Sequence, residues 1–88
     1  MYTVLQDTKQ FTMNKERRKQ LESLIGPIED IKSQVETILE EEQGAYDNMP
    51  EGLQNGENGE KAQNAISSIE SIVQSLDEAV ENINESIQ

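Results

Sequence analysis

Eighteen carboxylate side chains, with neither a histidine nor a cysteine, bound the chemistry open to this 88-residue chain. Without histidine there is no imidazole to act as general base or transition-metal ligand. Without cysteine there is no thiolate nucleophile, no soft-metal site and no disulfide framework. Carboxylates alone still allow binding of a hard cation. However, Asp47-Asn48-Met49-Pro50-Glu51 lacks the alternating ligands and closing glutamate of an EF-hand loop, and Asn55 to Glu60 does no better. The chain has no Glu-x-x-His pair, no glycine-rich phosphate loop after a strand, and no nucleophile beside a base. The sequence therefore predicts a chain that is not an enzyme, with no catalytic or metal-binding residue and no cofactor.

What these carboxylates can do is present a surface. Glu22, Glu29 and Glu36 recur every seven residues and are joined by Glu40 and Asp47, while Glu78, Glu81 and Glu85 make a second row. At 1.5 Å rise per residue, the carboxylates of the second row lie about 5 Å apart along a helix axis. DNA spaces its phosphates at ~3.4 Å of axis per strand, so the two densities are comparable. These eight residues are the expected partner-binding ridges, directed at a protein with a basic surface or groove in the manner of a nucleic-acid mimic. The plainer alternative is a solvated outer face that keeps an apolar-striped bundle soluble. A neutral patch, Ser67, Ser68, Ser71, Gln74 and Ser75, lies between the rows and offers a docking place free of charge repulsion.

Charge sets the choice of partner. The formal net charge of −11 repels nucleic-acid and membrane phosphates and draws basic surfaces over a screened range of roughly 8 Å at physiological salt. Direct binding to nucleic acid or membrane is therefore not expected. The charge is also polarised. Lys9, Lys15, Arg17, Arg18 and Lys19, against Asp7 and Glu16, give the first nineteen residues +3 and leave −14 on residues 20–88. Met1 to Met13 has no continuous apolar core of the signal-peptide kind, and no stretch approaches the ~18 apolar residues of a membrane span. A soluble cytoplasmic protein is the expectation.

The elements that must carry these side chains are helices. From Ala62, apolar residues fall at Ile66, Ile69, Val73, Leu76, Val80, Ile83 and Ile87, in steps of four and three, with Ala65, Ile72 and Ala79 beside them. A first helix runs on Leu21, Leu24, Ile28, Ile31, Val35 and Ile38, flanked by Ile25 and Leu39, with Ala45, Tyr46 and Met49 continuing the count. Thr12 or Asn14 is its expected cap, Gly26-Pro27 its expected kink, and Pro50 its stop. The domain reading is a flexible arm over 1–12, helix one over about 13–48, a turn over about 49–58 and helix two over about 59–87. Within the turn, Pro50 to Leu53 is expected to form one helical turn with Leu53 folding back on the end. Asn55 or Asn58 is the expected cap of helix two.

Laid antiparallel, the two stripes match layer by layer: Leu21 with Ile83, Leu24 with Val80, Ile28 with Leu76, Ile31 with Val73, Val35 with Ile69 and Ile38 with Ile66. The register places Arg17, Arg18 and Lys19 near Glu81, Glu85 and the carboxyl terminus, as an intramolecular charge clamp. The predicted fold class is all-α, an antiparallel two-helix hairpin of coiled-coil type with its first helix kinked at Gly26-Pro27. Hydrophobic residues at 33% and aromatics at 3% make a thin core for one hairpin. Ile25, Leu39 and Tyr46 on helix one and Ile72 on helix two are left seeking cover. They form the expected oligomer interface of a homodimer, a four-helix bundle, or else the side on which another protein completes the hairpin.

The segment Glu41 to Gln54, with its Asp47-Asn48-Met49-Pro50-Glu51-Gly52-Leu53-Gln54 turn, follows a Met13-Asn14-Lys15-Glu16-Arg17-Arg18-Lys19 start and precedes an acidic Ile/Ala-striped helix. In this it resembles small acidic helical proteins encoded by bacteriophages, prophages and mobile elements of Gram-positive bacteria. The resemblance covers Met13 to the end, and the arm before Met13 departs from it. It implies a phage-type accessory protein in a host bacterial cell that binds and inhibits or modulates a host protein, such as a CRISPR nuclease or another defence factor that binds nucleic acid. The alternative is a dimeric coiled-coil adaptor in structure or assembly, with no inhibitory role.

Overall fold

A computed structural model describes residues 14–88, so the arm over 1–12, its strand-like piece at Tyr2 to Leu5 and the Thr12 cap lie outside the described residues. Over the described residues the chain is all-α, with helices α1 (Lys15–Asp47), α2 (Glu51–Gln54) and α3 (Glu57–Ser86) and no strand.

Helix α1 starts where Asn14 caps it. The residue is extended, and its Oδ1 accepts the Arg17 backbone N–H at 2.8 Å, satisfying one of the four donors that a helix start leaves open. Glu16 adds a negative charge to the positive end of the dipole. The helix continues unbroken through Gly26 and Pro27, although proline removes one ladder hydrogen bond. It ends at Asn48, whose N–H bonds the Gly44 carbonyl at 3.0 Å, while the Met49 N–H bonds the Tyr46 carbonyl at 3.1 Å. Pro50 is extended and opens the four-residue α2.

The turn departs from expectation at two points. Neither Asn55 nor Asn58 caps α3: Asn55 closes α2, Asn58 lies in the first turn of α3, and the cap residue is Gly56 with no side-chain bond. Glu57 and Glu60 favour that helix start through their charge, and Glu57 also meets Lys61 at 3.5 Å. Leu53 does not fold back; it is 48% exposed. The inward role belongs to its neighbour Gln54, whose Nε2 donates to the Tyr46 carbonyl at 2.8 Å and so satisfies an end carbonyl of α1. Gly59 is buried against the same residue, where a Cβ would overlap the Gln54 carbonyl group. The first turn of α3 packs on α2 this closely because position 59 has no side chain.

The long helices lie side by side and run in opposite directions. Near the turn, Gln63 Nε2 donates to the Tyr46 hydroxyl at 2.8 Å; midway, Lys32 Nζ meets Asp77 at 2.6 Å; at the far end, Ile87 lies beside Lys15, Arg18, Lys19 and Glu22. On α3 the covered row is the expected one: Ala62 and Ile66 buried, and Ile69, Val73, Leu76, Val80, Ile83 and Ile87 half-buried. On α1 the covered row is Leu21, Ile25, Ile28, Lys32, Val35, Leu39, Glu42 and Tyr46. Leu24, Ile31 and Ile38, expected to face Val80, Val73 and Ile66, are instead 49%, 49% and 52% exposed. Helix α1 is thus turned by about 50° from the expected seam, half the ~100° step between successive residues. Ile25, Leu39 and Tyr46, expected to be left seeking cover, are half-buried on the α3-facing row; Ile72, 47% exposed, stays uncovered.

The two glycines at contrasting sites test this packing. Gly59→Ala should destabilise the fold by about 1–3 kcal/mol through the backbone overlap with Gln54. Gly44→Ala, where a Cβ meets nothing within 4 Å, should stabilise α1 by about 0.5–1 kcal/mol. Urea unfolding followed by circular dichroism reads both, and equal effects would contradict the packing at the turn.

Candidate functional site

The faces of this helix pair follow from which rows are covered. On α1 the covered stripe is bordered on one side by Glu22, Glu29 and Glu36, and on the other by Leu24, Ile31 and Ile38. On α3 it is bordered by Gln63, Glu70, Asp77 and Asn84 on one side, and by Ala65, Ile72 and Ala79 on the other. Lys32–Asp77 and Tyr46–Gln63 tie the first border of α3 to the Glu22/Glu29/Glu36 side of α1. The remaining borders therefore share the opposite side. One side of the rod is acidic, and the other is apolar.

Every predicted acidic residue is exposed: Glu22, Glu29, Glu36, Glu40, Asp47, Glu78, Glu81 and Glu85. They do not make one surface. Glu22, Glu29 and Glu36 lie along the acidic side with Glu70 and Asp77. Glu40 and Asp47 turn away from α3, and Asp47 accepts a hydrogen bond from Gln43 at 3.2 Å. Glu78 and Glu85 point away from α1 on the back of α3, with Glu81 next to them. The first row has a cation in its midst. The Lys32 ammonium is held above the usual lysine range, first by its hydrogen bond to Asp77, with a smaller opposing effect from burial and further support from the charges of Asp77, Glu36 and Glu29. Helix α3 itself supplies its row with no such counter-charge: Lys61, the only basic residue of α3, pairs with Glu57 near the other end of the helix.

Arg17 and Lys19 do not form the expected charge clamp. Among the described residues no ion pair joins Arg17 or Lys19 to Glu81 or Glu85. Lys15, Arg18 and Lys19 instead surround a shallow hollow with Glu22 and Ile87 at the open end of the rod. Seam packing places Ile87 there, and side chains as long as lysine and arginine lie along it by their stems. An ion pair that does join the long helices is Lys32–Asp77, which the sequence reading missed. Its signal was present: Lys32 interrupts the row Ile25, Leu39, Tyr46 at a position that must be covered, so its ammonium needs an acid at the rim.

Among the described residues no group of three or more acidic side chains is placed to hold a metal ion, and no helix is long and apolar enough to cross a membrane. The neutral patch divides as well. Ser68 and Ser75 border the apolar side, whereas Ser67, Ser71 and Gln74 face outward from α3.

The Lys32 pair carries a pH signature. Because its folded value is raised, the pair's contribution is full below the ordinary lysine value of 10.5 and is lost as pH rises through the folded value. Thermal unfolding of the parent chain and of Asp77→Asn should differ by a constant amount at neutral pH and converge above the lysine range. A difference that persists at high pH would show that Asp77 acts by packing or by another bond. Compared with known proteins, the chain matches no family model, no curated protein and no solved structure.

Proposed function

We propose that this chain is a phage-type accessory protein that binds a basic surface or groove of a host protein and inhibits or modulates it. A defence factor that binds nucleic acid, such as a CRISPR nuclease, is the kind of target this reading names. The observation that carries it is the row Glu78, Glu81, Glu85: three exposed carboxylates on a long helix, with no basic residue of that helix beside them, close to its negative end. A helix fixes the spacing of the three charges, so little order has to be imposed when they meet a row of lysines or arginines. The net charge of −11 adds a field that raises the association rate with a basic partner. In this reading the chain works as an antiparallel helical hairpin of coiled-coil type, bent at Gly26-Pro27, and does no chemistry of its own.

A second reading, a dimeric coiled-coil adaptor in assembly or regulation, is favoured by a different observation: the uncovered row Leu24, Ile31, Ile38. The two separate experimentally. If the acidic reading holds, a host protein captured on the tagged chain at about 0.05 M salt should be lost at about 0.5 M, where screening shortens to a few ångströms. Glu78→Lys, Glu81→Lys and Glu85→Lys together should abolish capture, while the same reversal at Glu22, Glu29 and Glu36 weakens it less. Capture indifferent to both salt and reversal would refute the acidic reading and leave the adaptor.

A further inference from the structure

The apolar side of the rod has a composition that the acidic partner reading does not use. Leu24, Ile31 and Ile38 stand in a line on α1, and Ala65, Ile72 and Ala79 stand beside them on α3. The outer neighbours of this strip are Gln20, Pro27 and Gln34 on one helix and Ser68, Ser75 and Asn82 on the other, all exposed. From residue 20 to 38 of α1, and across the facing part of α3, this side carries no charge, on a chain that is 28% charged residues. Four large aliphatic side chains on it are each about half exposed, while only Ala62 and Ile66 are buried hydrophobics among the described residues.

From these observations we infer that the Leu24/Ile31/Ile38/Ile72 side is the docking surface for a second copy of this chain. Three arguments select that occupant. Two chains of −11 each repel at nearly every approach, and the uncharged side is the one approach on which no carboxylate meets a carboxylate. Over residues 20–38 a basic partner would find no acid on the strip or its borders, so charge complementarity directs it elsewhere. The strip also suits its own image: a row of large residues on α1 lies next to a row of Ala65, Ile72 and Ala79 on α3, so a two-fold rotation sets bulky positions against smaller ones. Area is sufficient as well. Residues 20–38 span about 28 Å of helix, and two helices about 20 Å of width. The paired faces then bury about 1,100 Å² in total, above the ~1,000 Å² that a specific interface requires. The resulting four-helix bundle supplies the core that one pair of helices lacks, and both acidic sides face outward. The inference deepens the adaptor reading by naming its surface, and it holds whether or not a basic partner binds the carboxylate rows.

A charge swap tests it on the full chain. One variant carries Ile31→Lys and Ile72→Lys, the other Ile31→Glu and Ile72→Glu. By sedimentation equilibrium the parent should form a concentration-dependent dimer, each variant alone should dissociate at least ~30-fold more readily, and the 1:1 mixture should regain a mixed dimer. Because the mixture is compared with its own components, the readout holds even if one variant loses helix when alone. A parent that stays monomeric would overturn the inference, as would a dimer untouched by the swaps or a mixture that fails to recover. Capture that is indifferent to salt and to reversal at Glu78, Glu81 and Glu85, with the dimer intact, would refute the acidic reading alone.

Discussion

The rotation of α1 about its own axis is set at the turn. Tyr46 is held there twice: its carbonyl by Gln54 and its hydroxyl by Gln63. Gly59 presses the start of α3 onto the backbone of Gln54, so the two grips share one rigid frame. With Tyr46 drawn inward, the residues seven, fourteen and twenty-one positions before it must also face α3, because a helix cannot twist between its hydrogen bonds. Those residues are Leu39, Lys32 and Ile25. The frame therefore imposes a lysine on the seam and excludes Leu24, Ile31 and Ile38, the more apolar row.

That exclusion shapes the rest of the molecule. Lys32 is tolerated because its methylenes cover the seam while its ammonium reaches Asp77 at the rim. The pair then marks the acidic side and draws Glu29 and Glu36 into the same local field. On the far side the row displaced from the seam becomes surface. A two-helix rod has no inner layer in which to hide it, and among the described residues no large side chain is fully buried. Burial of about half a side chain yields correspondingly less than the ~1.5–3 kcal/mol of full burial, against an ordering cost of ~1–2 kcal/mol for every residue fixed.

How much of this the sequence discloses depends on the helix. The stripe of α3 could be read residue for residue, because a single row of large apolar side chains repeats at the seam period and only small Ala65 and Ala79 compete with it. Helix α1 carries two rows with the same period, Leu24/Ile31/Ile38 and Ile25/Leu39/Tyr46, and periodicity cannot rank them. Their choice was made by Gln54, Gln63 and Gly59, residues whose roles exist only once the turn is formed. Asn14 was legible as a cap because its neighbours alone define the helix start. Gly56 was not, since the cap of α3 depends on how α2 closes. The acidic rows were legible as rows, but their division between two directions follows from the rotation of α1 and from the pairing of Lys32 with Asp77.

The same rotation connects the two surfaces. Had Leu24, Ile31 and Ile38 packed on α3, Ile25, Leu39 and Tyr46 would lie outside, on the side that also carries Glu22, Glu29 and Glu36. Apolar and acidic groups would then share one face, and any contact made through it would have to strip water from carboxylates. In the observed phase they are separated, so each face can be used at little cost to the other. Pairing through the uncharged face leaves every carboxylate row solvated and sets two copies of each on one rigid body. A basic groove long enough to meet both copies would be held with the effective-concentration advantage of a linked pair. A groove that meets only one would gain nothing from it. Segregating charge from apolar surface in this way requires nothing beyond the choice between two neighbouring rows of one helix, and that choice is made by three side chains and a glycine at the turn.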